Sequence, residues 1–210
     1  MAEARAIRAY VDFVSPFSWL AVVQRPEVER RTAEAGHPVR FELVPILLPA
    51  VLDARGLVAA GEVKEKRDHE LRRIDWRAQE LGLECVPPAK HPFVSLRSLR
   101  AAARFQGTAQ MPSAVHALFA AGWERGEDLT RAEVVERALR DAGLEVDDLD
   151  AWIQSDECKA LLRSNTDEAL AAGVFGVPSF VTPDGQLFWG QDQLPWIERW
   201  AAGELLGTQL

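Results

Sequence analysis

Two hydroxyls one helical turn apart carry the most legible chemistry in this chain: Ser15 and Ser18, in the run Ser15-Pro16-Phe17-Ser18. Ser15-Pro16 reads as a helix start, with serine as N-cap and proline at the first helical position. The unpaired N–H groups and positive dipole end of such a helix stabilise an anion, a thiolate included. A serine there cannot exchange disulfides. It can donate a hydrogen bond to the thiolate of a bound thiol and so lower that thiol's pKa. Alone, Ser15 reads as a plain N-cap and Ser18 as a structural hydroxyl. His91, in a loop ahead of Pro92, suits an anionic substrate or a solvated position equally. Arg97 and Arg100 share a helical face and read first as surface ion pairs. Cys85 and Cys158 lie 73 positions apart with no CxxC and no Cys/His cluster, so neither zinc nor a dithiol is expected.

The elements around these residues change in kind along the chain. Ile7–Val14 (IRAYVDFV) is β-rich, and Val39–Val44 (VRFELV) alternates cleanly. The helix from Ser15 runs to about Ala35, with a kink or restart expected at Pro26. The connection is long enough to set these two strands parallel. Helical spacing then predicts Val63–Leu81, Leu96–Phe105, Pro112–Arg125 and Leu149–Ala172. Thr130-Arg131-Ala132-Glu133 reads as a capping box for another helix, ending near Gly143. Pro87-Pro88 and His91-Pro92 stiffen one extended loop. Pro178–Thr182 and Gln186–Trp189 flank the turn Pro183-Asp184-Gly185 as a hairpin, and Asp192 is placed to open a last helix.

Composition removes several classes of function. At roughly 100–200 residues per domain, 210 residues make one large domain or one domain with a sizeable insertion. Lys+Arg 24 against Asp+Glu 32 gives a net charge of −8, which disfavours a nucleic-acid partner. No uninterrupted apolar run approaches the about 18 residues of a membrane span, and nothing near Met1 reads as a signal peptide. A cytoplasmic location is the expectation. Trp123, Trp152, Trp196 and Trp200 read as core, whereas Trp19 and Trp189 stand next to Ser18 and Gly190 and could wall a site.

The order βαβ, a helical block, then ββα is the thioredoxin layout: an α/β thioredoxin-like fold with a large all-helical insertion. Residues 1–50 and 174–210 would form its discontinuous thioredoxin-like domain and 51–173 the inserted helical domain. DFVSPFSWLA resembles the opening of the 2-hydroxychromene-2-carboxylate isomerases and kappa-class glutathione transferases, members of the DsbA-like branch of that fold. GVFGVPSFVTPDGQLFWGQDQL is similar to their C-terminal block, and HPFVSLRSLRAA to their middle block. The resemblance spans Tyr10 to Leu194. It implies that Ser15 activates the sulfur of glutathione, the expected cofactor. It implies that Val177, ahead of a cis Pro178, pairs with the cysteinyl backbone through free N–H and C=O groups. Gly190, Gln191 and Asp192 would grip the γ-glutamyl end, Lys66 would assist, and His91, Val94 and Trp19 would line the substrate pocket. Three positions depart from the pattern: Val94 replaces an Asn, Leu57 follows Gly56 in place of an Asn, and Gln193 replaces an Arg.

The function so implied is a glutathione-dependent cis–trans isomerase of 2-hydroxychromene-2-carboxylate-type aromatic catabolites. Its thiolate would add reversibly to an aromatic or α-keto acid substrate, without a metal, and a homodimer is compatible with it. A kappa-like transferase or peroxidase, or a catalytically silent binding module, remains open at this stage.

Overall fold

The computed structural model describes residues 3–205; residues 1–2 and 206–210 of the expected thioredoxin-like unit lie outside them. Strand β1 (Arg5–Val11) sends Ile7, Ala9 and Val11 to one face and Tyr10 to the other, as the period of two requires. Helix α1 (Pro16–Glu34) crosses back to β2 (Val39–Pro45), which pairs parallel to β1 from Arg5↔Val39 to Val11↔Pro45. Strand β3 (Ser179–Val181) runs antiparallel to β1, and β4 (Leu187–Trp189) antiparallel to β3. The order β2-β1-β3-β4 is the expected βαβ plus ββα sheet. In the hairpin turn, Gly185 takes the φ of +84° that a side chain would resist, and its N–H donates to Thr182 O (2.9 Å).

Between β2 and β3 the chain is helical: α2 (Leu48–Arg55), α3 (Lys64–Glu80), α4 (Leu96–Ala103), α5 (Met111–Phe119), α6 (Ala132–Asp141), α7 (Leu149–Gln154) and α8 (Asp156–Ala171). Helix α9 (Leu194–Ala201) follows β4. The larger buried cluster unites Ile7, Phe41 and Phe180 of the sheet with Leu99, Leu118 and Leu139 of the helices. A second cluster on the opposite face joins Tyr10, Val44 and Val177 to Val51 and Ala169.

Four local expectations are corrected. Helix α1 runs unbroken through Pro26, which is exposed on its outer side. The single helix expected over Leu149–Ala172 breaks at Ser155, whose extended backbone lets its hydroxyl accept from Cys158 N–H (3.1 Å) and cap α8. Thr130 does not cap α6, because its hydroxyl and N–H both donate to Asp128 Oδ1 (2.6 and 3.0 Å). Asp192 does not open α9: Gln191–Gln193 is a short 3-10 turn, and the helix proper starts at Leu194 with Pro195 in its first turn.

Candidate active site

The site is built where β1 ends and α1 begins. Asp12, Phe13 and Val14 turn the chain, Ser15 N–H donates to Asp12 O (3.0 Å), and Ser15 enters α1 in an extended conformation as its N-cap. The Ser15 Oγ accepts from Ser18 N–H at 3.3 Å and donates to Val177 O at 3.3 Å. An O–H···O contact of that length is weak and readily exchanged for a better acceptor. The Ser18 Oγ is fully buried with no hydrogen-bond partner among the described residues.

The last third of the chain meets this corner. The Val177-Pro178 bond is cis. The Val177 carbonyl, expected free, takes the Ser15 hydroxyl, while its N–H donates to no group among the described residues. Gly190 N–H donates to Pro178 O (2.9 Å), fastening the Gly190–Asp192 segment beside Pro178. Gly190 is required there: its φ is +109°, and a Cβ would stand 2.5 Å from Asp192 Oδ1. Asp192 itself is exposed. Gln191 is buried, and its Oε1 accepts from Gln24 Nε2 (2.9 Å), whose own Oε1 accepts from Arg77 Nη2 (2.6 Å). Trp189 and Phe175 form an exposed aromatic pair with ring centroids 4.9 Å apart.

The other expected residues lie in different surroundings. Lys66 is exposed on α3. Val94 is exposed in the loop ahead of α4. Trp19 has no surface to offer a substrate: it is fully buried, and its indole N–H donates to Glu124 Oε1 (3.0 Å). Arg97 pairs with Asp150, and Arg100 donates to Ile153 O, so both serve the helical packing. Burial pushes the Cys85 thiol up to about 11 and raises Cys158 as well, the opposite of an activated thiol.

His91 is half-buried with its ring edge on Trp123 (centroids 5.2 Å), and its buried Nδ1 lacks a partner among the described residues. Burial, and then the Arg67 guanidinium, lower its pKa to about 4. Between about pH 6.5, where a free histidine titrates, and about pH 4 the unfolded chain therefore binds the extra proton. Stability falls as pH drops through that window. Replacing His91 by Asn should flatten this fall by a few degrees of Tm, read from thermal melts across the window.

Sequence reasoning passed over Asp12. It is fully buried, and its carboxylate accepts from Val14 N–H (3.1 Å) and Leu48 N–H (2.9 Å). Burial raises its pKa, opposed by hydrogen bonds from the Ser95 hydroxyl and those two amides. The one available signal was an acidic residue inside the apolar run IRAYVDFV.

The DSBA-like thioredoxin domain family matches residues 6–199. The chain belongs to it. A 2-hydroxychromene-2-carboxylate isomerase of Sphingobium xenophagum is 29% identical over 198 residues, covering 92% of this chain and 96% of that protein. Glutathione S-transferase kappa 2 of Caenorhabditis elegans is 24% identical over 223 residues, covering 99% and 96%. A solved 2-hydroxychromene-2-carboxylate isomerase superposes with a TM-score of 0.82 at 24% identity, over 96% of this chain and all of that one. In this DSBA-like domain the N-terminus of α1 carries Ser15 and Ser18, and both cysteines lie elsewhere in the chain.

Proposed function

We propose that this chain is a glutathione-dependent cis–trans isomerase acting on 2-hydroxychromene-2-carboxylate or a related unsaturated α-keto acid. The observation that carries the proposal is the Ser15 hydroxyl at the N-terminus of α1, weakly held at 3.3 Å by Val177 O. Glutathione fits this corner: the Val177 N–H, which has no partner among the described residues, is a group a thiol-bearing peptide could satisfy. When bound, glutathione supplies a thiolate that adds reversibly to a conjugated carbon and frees the adjacent bond to rotate.

The chain's own residues do the rest. Ser15 exchanges Val177 O for the sulfur, and its hydroxyl with the positive end of α1 holds the thiolate charge. Val177 N–H aligns the peptide. Asp192 takes the ammonium, and Lys66 a carboxylate of the same ligand. Gly190 and Gln191 serve through the main chain, the Gln191 side chain being held by Gln24. His91, neutral at physiological pH, and the exposed Val94 face the substrate side. Reduced glutathione is a cytosolic pool, so the proposal places the protein in the cytoplasm.

Incubation with glutathione and 2-hydroxychromene-2-carboxylate, followed by absorbance, tests this reading. Turnover that vanishes without glutathione is expected. No turnover, together with conjugation of a chlorinated aromatic, selects the transferase reading that the kappa-class relative favours.

A further inference from the structure

The last turn of the α5 segment is unlike the rest of the helical block. Ala120–Glu124 is a π-helical turn: the Arg125 N–H reaches back five residues to Ala120 O (3.1 Å). Such turns interrupt regular helical bonding, and they are frequent at functional sites. Here two consecutive side chains of the turn reach the segment that carries Ser15. Trp123 is fully buried, and its indole N–H donates to Phe13 O (2.9 Å), in the bend two residues before Ser15. Glu124 accepts from the indole N–H of Trp19 (3.0 Å), in α1 four residues after Ser15. A third contact fixes the turn from outside, where Val86 N–H donates to Trp123 O (2.8 Å).

We infer that Trp123 and Glu124 are positioning residues for Ser15, the wide turn bracing the start of α1 from both sides. The inference rests on the thiolate reading above. The Phe13 carbonyl has no main-chain partner among the described residues. Losing the Trp123 N–H therefore leaves a buried acceptor unsatisfied at the bend, which the bend can relieve only by moving. Ser15 takes its N–H bond from the same bend, through Asp12 O, so its hydroxyl moves with it. On the other side, the Trp19 indole is locked by Glu124 and sets the first turns of α1 against the helical block.

Three variants test the brace. Trp123→Phe keeps a buried aromatic ring and removes only the donor; Glu124→Ala removes the acceptor; Glu124→Gln restores it. Trp123→Phe and Glu124→Ala should each raise the apparent pKa of enzyme-bound glutathione by about one and lower kcat at neutral pH about tenfold. The KM for the isomerised substrate should stay within about twofold, and Glu124→Gln should restore both values. A lowered Tm with unchanged thiol pKa and kcat would mean ordinary packing and overturn the inference. So would equal losses in the Gln and Ala variants. Amide hydrogen exchange at Ser15 and Ser18 reads the brace without any ligand, and should quicken about tenfold in Trp123→Phe and Glu124→Ala. If the wild-type protein binds no glutathione, the proposed function fails; exchange at Ser15 and Ser18 that stays at the wild-type rate overturns the brace itself.

Discussion

Replacing Ser15 by alanine should lower glutathione-dependent turnover about 10- to 1000-fold while leaving the fold intact, on the order of 1–4 kcal/mol for a lost thiolate hydrogen bond. The fold survives because the cap is duplicated: Ser18 N–H also donates to Ser15 O (3.1 Å), which alanine keeps. The stability loss should therefore stay near the lower end of the about 0.5–2 kcal/mol typical of a lost N-cap. The ultraviolet absorbance of enzyme-bound thiolate against pH separates chemistry from stability. The apparent thiol pKa should rise in the variant. An unchanged value removes Ser15 from the mechanism.

The second large effect is a gain. The wild-type protein should not reduce disulfides, and a Cys85→Ala, Cys158→Ala double variant should keep its glutathione-dependent activity. Both thiols are disfavoured as thiolates by burial, and neither stands at the start of α1. Converting Ser15 and Ser18 together to cysteine should raise insulin reduction from background to a measurable rate. The end of α1 would then favour a thiolate at position 15 itself, with a second thiol one turn away to resolve it. Insulin reduction by the wild-type chain that disappears in the cysteine-free variant would relocate the reactive site to Cys85 or Cys158.

What could be read from the sequence was what local chemistry determines. Ser15-Pro16 announced α1 because a cap and a first-turn proline act within one turn. The strands of β1 and β2 announced themselves by alternation. The readings that failed depended on partners distant in sequence or on competition nearby. Thr130 had cap chemistry but gave its hydroxyl to Asp128. Trp19 had the right neighbours in the sequence, yet its position on α1 turns it into the core, where Glu124 receives it. Asp12 stayed silent because Leu48 and Ser95, which hold its carboxylate, arrive only when the chain folds back. The side chain of Gln191 is likewise claimed by a distant partner, the amide of Gln24.

The strand order β2-β1-β3-β4 also sets a timetable for synthesis. β1 and β2 are translated close together, but the other edge of β1 must wait for β3, about 170 residues later. At about 5–20 residues per second, that edge spends on the order of ten to thirty seconds on the ribosome without its partner. An unpaired strand edge invites pairing with other chains. The intervening helices emerge during the same interval, and those that pack on β2 early, as α4, α5 and α8 do in the finished fold, would hold the nascent sheet in place.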